Sequence, residues 1–159
     1  MYKAVTNLLA ERGVTLPQIA EVVLEIQKGY YPELTIEECL AGVDAVVRKR
    51  EVQHAILTGV ALDVAAEKKQ LPEPLQSIVA SDDFLFGVDE IVALSITNVY
   101  GSIGLTNFGY LDKTKPLIIG KLNDHKGGAC HTFLDDLVAA VAAAAASKIA
   151  HSRRPMDND

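Results

Sequence analysis

The sequence predicts an all-α protein, a compact single-domain bundle of about six or more helices. Apolar residues recur at helical spacing along most of the chain, and glycine and proline separate the segments. No stretch keeps the strict alternation of apolar and polar residues that a half-buried strand shows. The chain of 159 residues is 49% apolar and 23% charged, which suits one ordinary core. We expect one helical domain over residues 1–150 and a flexible tail over 151–159.

The first half of the chain contains four helical segments, each with start or stop signals. The first segment is followed by Gly13, a residue suited to the left-handed position after a helix. The third opens with Thr35 and Glu38, spaced as a capping box. A Leu-Pro-Glu-Pro sequence ends the fourth segment. The four predicted helices cover approximately residues 2–12, 15–29, 34–50 and 52–69.

The second half contains one ambiguous segment, from Phe84 to Tyr100. Its valines and isoleucines favour a strand, but seventeen residues is long for a strand and no alternation holds through it. We therefore predict a buried helix there. The remaining predicted helices cover approximately residues 74–80, 102–112, 116–123 and 133–150.

Net charge and hydropathy limit the functional classes to which the protein could belong. The formal net charge is −6 and no basic stripe is present, which argues against a nucleic-acid partner. An anionic substrate would need a metal ion or a few placed lysines. The longest apolar run, Leu137–Ala146, is shorter than the roughly 20 residues of a membrane helix, so we expect no transmembrane segment and a cytoplasmic protein. Cys39 and Cys130 are too few for a disulfide framework.

Asp89 and Glu90 interrupt the apolar segment that begins at Phe84. Removing a carboxylate from water costs several kcal/mol unless a cation or hydrogen-bond donors compensate for it. A metal ion would provide that compensation. Pairing with lysine or arginine, or simple exposure at the start of the helix, would explain the two acids equally well.

Asp135 and Asp136 precede an alanine-rich run. Thr132 with Asp135 approximates a capping box, and acids in a first turn interact favourably with the helix dipole. The cap explains Asp135 fully and Asp136 only in part. Two adjacent carboxylates about 100° apart around a helix also suit a metal ion.

Two further segments carry polar residues of interest. Asp112 stands three residues before Lys115, and Pro116 follows; such a pair is usually a surface ion pair of little worth. The loop Asn123–His131 contains glycines, a lysine and two histidines. Its backbone amides and the following helix N-terminus could receive a phosphate, or the loop could be a mobile connector.

The order of these motifs resembles the phosphatidylglycerophosphatase A family. "VDEIVAL", "GYLDKTKPLII" and "HKGGACHTFLDDLVAA" follow one another as that family's Asp-Glu helix, Asp-x-x-Lys-Pro segment, and Gly-Gly loop before Asp-Asp-x-x-Ala. The similarity extends over about Thr58 to Ile149. The chain lacks the family's long hydrophobic helices and its N-terminal Pro-Gly-Thr-type segment. It is thus closer to the soluble branch from Gram-positive bacteria, sometimes called low-temperature-requirement C.

The resemblance implies a Mg²⁺-dependent phosphatase that removes a phosphate from a phospholipid head group or a phosphorylated small molecule. It implies an active site in which one or two Mg²⁺ ions are bound by carboxylates and lysine neutralises phosphate oxygens. The expected metal ligands are Asp89, Glu90, Asp135 and Asp136; the expected catalytic residues are Asp112, Lys115 and His131; the expected phosphate-binding residues are Lys115, Lys126, Gly127 and Gly128.

Three expectations remain open at this stage. A non-catalytic protein that binds metal or phosphate, with a regulatory or structural role, is the alternative to an enzyme. The protein could be peripheral at the membrane while remaining cytoplasmic. The alanine-rich face of residues 137–150 would allow close packing between subunits as well as within one, so a homo-oligomer is plausible.

Overall fold

The computed structural model describes residues 1–124 and 128–153. This part of the chain forms nine α-helices and one 3₁₀ turn, with no strand. The predicted all-α class is therefore confirmed. The helices are α1 (Tyr2–Glu11), α2 (Leu16–Gln27), α3 (Ile36–Val47), α4 (Arg50–Glu67), α5 (Leu75–Ser81), α6 (Val88–Thr97), α7 (Gly101–Thr114), α8 (Ile118–Asn123) and α9 (Leu134–Ser152), with the 3₁₀ turn at Asn98–Tyr100 between α6 and α7.

Helix α9 is the centre of the bundle. Every residue from Thr132 to Ser147 is buried, as expected for a helix that is apolar on all sides. Helices α2, α3, α4, α6, α7 and α8 pack around it, and α1 and α5 pack on α4. The alanine run is thus enclosed within one chain. It offers no face to a second copy, which removes the sequence argument for an oligomer.

Local start and stop signals act as predicted at several helix ends. Thr35 Oγ1 accepts a hydrogen bond from the Glu38 amide at 3.3 Å, and the Thr35 amide donates to Glu38 Oε2 at 2.9 Å. Gly13 follows α1 with a φ of +80°. These contacts satisfy backbone groups that a helix end leaves unpaired.

The segment from Phe84 to Tyr100 differs from the predicted buried helix. The helix begins only at Val88, because Leu85 and Gly87 both have a φ of +66°, a conformation that cannot continue a right-handed helix. Phe84 and Leu85 lie before it and are 87% and 85% exposed. Apolar composition here does not mean burial.

The stretch Val88–Thr114, which contains α6, the 3₁₀ turn and α7, meets the length and hydropathy criteria for crossing a membrane. Its 18-residue window has a mean hydropathy of 1.2, and 33% of that window is buried inside the structure. It is the only such stretch within residues 1–124 and 128–153, and a single one is weak evidence for a membrane span.

The last described residues include the first part of the predicted tail. Helix α9 continues to Ser152, and Arg153 pairs with Glu33 at 2.5 Å and Glu38 at 2.7 Å. Residues 154–159, the rest of the predicted tail, lie outside the described residues.

Candidate functional site

Two acid pairs occupy equivalent positions in the first turns of α6 and α9. Asp89 and Glu90 are the second and third residues of α6, and Asp135 and Asp136 hold the same places in α9. In each pair the Oδ1 of the first acid, Asp89 or Asp135, accepts a hydrogen bond of 2.9 Å from the amide of the next residue. Helix α6 packs against α9, and the acids of both first turns line the same cavity. The positive ends of both helix dipoles favour negative charge there.

Lys115 connects the end of α7 to the acids of α9. It has a left-handed backbone conformation (φ +43°) directly after the helix. Its Nζ lies 2.7 Å from Asp112 Oδ1, 2.9 Å from Asp135 Oδ2 and 3.1 Å from Asp136 Oδ1. The predicted Asp112–Lys115 pair is therefore part of a larger ion cluster and not an isolated surface pair.

These residues surround one cavity of about 400 Å³, which we call the acid cavity. All four predicted metal ligands line it, together with Asp112 and Lys115. Seven carboxylate side chains and one lysine stand among its described lining residues. The full lining consists of Asp82, Asp83, Phe84, Leu85, Phe86, Gly87, Asp89, Glu90, Asp112, Lys115, Asn123, Thr132, Asp135 and Asp136.

Burial disfavours the charged forms of the four acids at the starts of α6 and α9. Burial raises the pKa of Asp135 and of Asp136, and the neighbouring Asp135 charge raises that of Asp136 further; Lys115 opposes both shifts. Burial also raises the pKa of Asp89 and Glu90. Burial lowers the pKa of Lys115, but the Asp135 charge and the Asp112 hydrogen bond outweigh it, so the net shift is upward. Lys115 is a cation that opposes the upward pKa shift of each of these four acids.

The start of α9 is fixed by a residue that the sequence analysis missed, Asp63 of α4. Its carboxylate is fully buried and accepts hydrogen bonds of 3.0 Å from the amides of Phe133 and Leu134. The predicted capping box at Thr132 is wrong, because the Thr132 hydroxyl donates to the Val79 carbonyl at 2.7 Å. A long-range contact therefore replaces the local cap, and Asp135 and Asp136 are free to face the cavity. The signal available in the sequence was an aspartate among the apolar residues of "GVALDVAAE".

The loop before α9 contributes less than predicted within the described residues. His131 does not line the acid cavity there, and its Nδ1 donates to the Leu122 carbonyl at 2.9 Å. Gly128 has a φ of +78° and also stands outside the described lining. Lys126 and Gly127 lie outside the described residues. The roles of these four residues stay predictions.

The donor set of the acid cavity fits a hard divalent cation in chemical type and charge. Mg²⁺ prefers carboxylate oxygens, and Asp89, Asp135 and Asp136 are buried acids whose charged forms a cation would stabilise. In this conformation no group of three or more His, Cys, Asp or Glu side chains in residues 1–124 and 128–153 is arranged to hold a metal ion. Lys115 Nζ instead contacts three of the carboxylates directly.

Sequence reasoning also missed one wall of the cavity. This wall is formed by Asp82 and Asp83, directly after α5, and by Phe84 to Phe86, which follow them. The sequence Ser-Asp-Asp marks a turn, but nothing local indicates that the turn faces Asp135. The packing of α5 on α4, and of α4 and α6 on α9, brings it there.

Comparison with known proteins shows similarity over nearly the whole chain. It is 58% identical over 146 residues to YutG of Bacillus subtilis (strain 168), covering 92% of this chain and 88% of that protein. It is 54% identical over 153 residues to YpjQ of the same strain, covering 96% and 86%. Both proteins are described as uncharacterized.

Solved structures with the same fold are equally similar. A Bacillus stearothermophilus protein of unknown function superposes with a TM-score of 0.94 at 56% identity, covering 97% of this chain and 96% of that one. The low temperature requirement C protein from Listeria monocytogenes has a TM-score of 0.92 at 58% identity and 95% coverage of both chains. The family model described as phosphatidylglycerophosphatase A matches residues 5–151. Similarity of this extent, together with the two acid pairs and Lys115 around one cavity, means that the chain belongs to the phosphatidylglycerophosphatase A family.

Proposed function

We propose that this protein is a Mg²⁺-dependent phosphatase that hydrolyses a phosphomonoester, with a phospholipid head group as the preferred substrate. The observation that carries the proposal is the acid cavity, in which the two acid pairs of α6 and α9 meet Lys115. The description of the family supplies the reaction class. A non-catalytic protein with the same ligand preferences is the alternative that the experiment below separates.

The charge of the cavity supports a role for a cation in substrate binding. A phosphate group would be repelled by the carboxylates around Lys115 unless positive charge were added. Asp89, Glu90, Asp135 and Asp136 are the residues that would hold Mg²⁺. When bound, Mg²⁺ would supply charge to phosphate oxygens and make a water molecule more acidic.

The chain's own groups would perform the remaining tasks. Lys115 would contact a phosphate oxygen and stabilise the charge that develops as the phosphorus–oxygen ester bond breaks. Asp112, 2.7 Å from Lys115 Nζ, would hold the ammonium group in place. Asp63 would keep the first turn of α9 in position through the Phe133 and Leu134 amides.

Phosphate release tests the proposal directly. Purified protein is incubated with phosphatidylglycerophosphate in mixed micelles and with a panel of soluble phosphomonoesters, with Mg²⁺ or with EDTA. We expect release that requires Mg²⁺ and falls at least ~100-fold in Asp136→Asn, on the scale of lost transition-state stabilisation. Glu11→Gln, which removes an exposed acid of α1, is the matched control and should behave as wild type.

Two results would count against this function. No release from any substrate, with Mg²⁺ still raising the melting temperature, would favour the non-catalytic alternative. Full activity in Asp136→Asn would show that the acid cavity is not the active site.

A further inference from the structure

The mouth of the acid cavity is formed by two of the most exposed apolar side chains in the described structure. Phe84 and Leu85 are 87% and 85% exposed, and both line the cavity. The exposed apolar surface continues along α6 through Val88, 47% exposed, and Ile91, 64% exposed, which are three residues apart and share a helix face. We call these four residues the apolar rim.

The loop that presents the apolar rim is anchored in the core. Phe86 packs edge-on against Phe133, the residue before α9, with ring centroids 5.8 Å apart. Leu85 has a φ of +66°, which is unusual for a residue with a branched side chain and costs free energy to maintain. One inward aromatic ring thus fixes a strained turn whose other two apolar side chains point to solvent.

The segment that follows the apolar rim in sequence is free of charge, and the exposed acids beside the rim, Asp83 and Glu90, line the acid cavity. From Ile91 to Leu111 the chain has no Asp, Glu, Lys, Arg or His. This run includes exposed Val99 in the 3₁₀ turn and exposed Leu105 and Tyr110 on α7. Exposed helix surfaces in a protein surrounded only by water usually carry charges, and contiguous apolar patches mark interaction sites.

We propose that the apolar rim docks on a phospholipid bilayer and places the mouth of the acid cavity at the head-group plane. This inference rests on the proposed function, because it concerns how that site meets a lipid substrate. A phospholipid keeps its acyl chains in the membrane while its phosphate enters a site. A cavity with acids inside and an apolar mouth is arranged for that geometry. A second copy of the chain seated on the same side chains would instead cover the cavity.

A single fluorophore tests the docking, because the chain contains no tryptophan. Phe84→Trp is titrated with phosphatidylcholine vesicles in the absence of substrate. We expect a blue-shifted emission and quenching by lipids brominated on their acyl chains. Tyr30→Trp is the matched control: Tyr30 is also an exposed aromatic, 78% exposed, but does not line the acid cavity, and its emission should not change.

Vesicle flotation gives a second readout. The double variant Phe84→Ser/Leu85→Ser should lose at least ~10-fold in vesicle partitioning, since two large apolar side chains no longer enter the lipid. Circular dichroism and the melting temperature confirm that the variant is folded. Tyr30→Ser should partition as wild type.

The outcomes separate this inference from the proposed function. Absence of any vesicle binding by wild type, or equal partitioning of the double variant, overturns the docking proposal even if phosphate release is observed. A blue shift of Phe84→Trp that depends on protein concentration without vesicles overturns it in favour of a second copy. Because neither readout uses turnover, docking can be established even if the phosphatase assay fails.

Discussion

Lys115 Nζ lies 2.9 Å from Asp135 Oδ2, and this ion pair joins the end of α7 to the first turn of the central helix α9. The two residues are twenty positions apart in sequence. Their contact converts a motif at a helix end and a motif at a helix start into one cluster. The side chain of Asp135 is only 6% exposed, so its charge depends on this partner.

Lys115→Met should destabilise the folded protein at neutral pH. The substitution leaves Asp135 and Asp136 buried without their cation. Removing one partner of a fully buried pair costs roughly 3–5 kcal/mol, and because Lys115 is 23% exposed we expect about 2–3 kcal/mol. Urea denaturation in EDTA measures the free energy of unfolding. Lys113→Met, at an exposed position of the same helix, is the control, and equal stability of the two variants would contradict the argument.

Gly120→Ala should displace Lys115. A Cβ at Gly120 would lie 2.5 Å from the Lys115 carbonyl oxygen, so backbone must move. We expect the free energy of unfolding to fall by about 1–3 kcal/mol. The rate of phosphate release should fall by a larger fraction than the free energy of unfolding. Gly109→Ala is the matched control, because a Cβ there meets nothing within 4 Å. Wild-type behaviour of Gly120→Ala would show that the approach of α8 to Lys115 is not important.

Because of Asp63, the free energy of unfolding should fall as pH rises. Burial raises the pKa of Asp63 to about 7, against the hydrogen bonds from Phe133 and Leu134 that lower it. The folded state therefore binds a proton that the unfolded chain releases near pH 4, and the Asp63 contribution declines between about pH 4 and pH 7. Urea unfolding across this range should show that the free energy of unfolding declines less with pH in Asp63→Asn than in wild type. The difference should be on the order of a few kcal/mol at most.

Asp44 offers the control of opposite sign for the same experiment. A hydrogen bond from Arg48 lowers the pKa of Asp44, so its contribution is present above about pH 4 and is lost only as pH falls further. Asp44→Asn should leave the slope between pH 5 and pH 7 unchanged. A wild-type slope that Asp63→Asn does not alter would refute the assignment to Asp63.

Glu90 and Asp136 should act on the same cation. If both hold Mg²⁺, either Glu90→Gln or Asp136→Asn removes most of the Mg²⁺-dependent rise in melting temperature, and the double variant removes little more. Scanning calorimetry with and without Mg²⁺ measures this coupling. Glu51→Gln, at an exposed position of α4, should keep the full rise. Strictly additive losses would mean that the two acids serve separate sites.

The helical class and most helix ends could be predicted because they depend on local chemistry. Apolar spacing, the Thr35–Glu38 box and the position of Gly13 act within a few residues of one another. Thr132 shows the limit of this reasoning. Its spacing to Asp135 matches a local cap, yet its hydroxyl bonds to Val79, 53 residues away in sequence. The Thr132 hydroxyl forms this tertiary hydrogen bond instead of the local cap that the spacing predicts.

By itself, the sequence determined that the chain is helical and predicted which acids and which lysine belong to the candidate site, since residue type and spacing set helix propensity, charge and ligand preference. Only the tertiary structure decided that Asp89, Glu90, Asp135 and Asp136 share one cavity with Lys115. It also decided that Phe84 and Leu85 are exposed at the mouth of that cavity and that the alanine run is enclosed. The physical reason is that burial and electrostatic coupling depend on which helices pack together, and that choice is made by the whole core around α9.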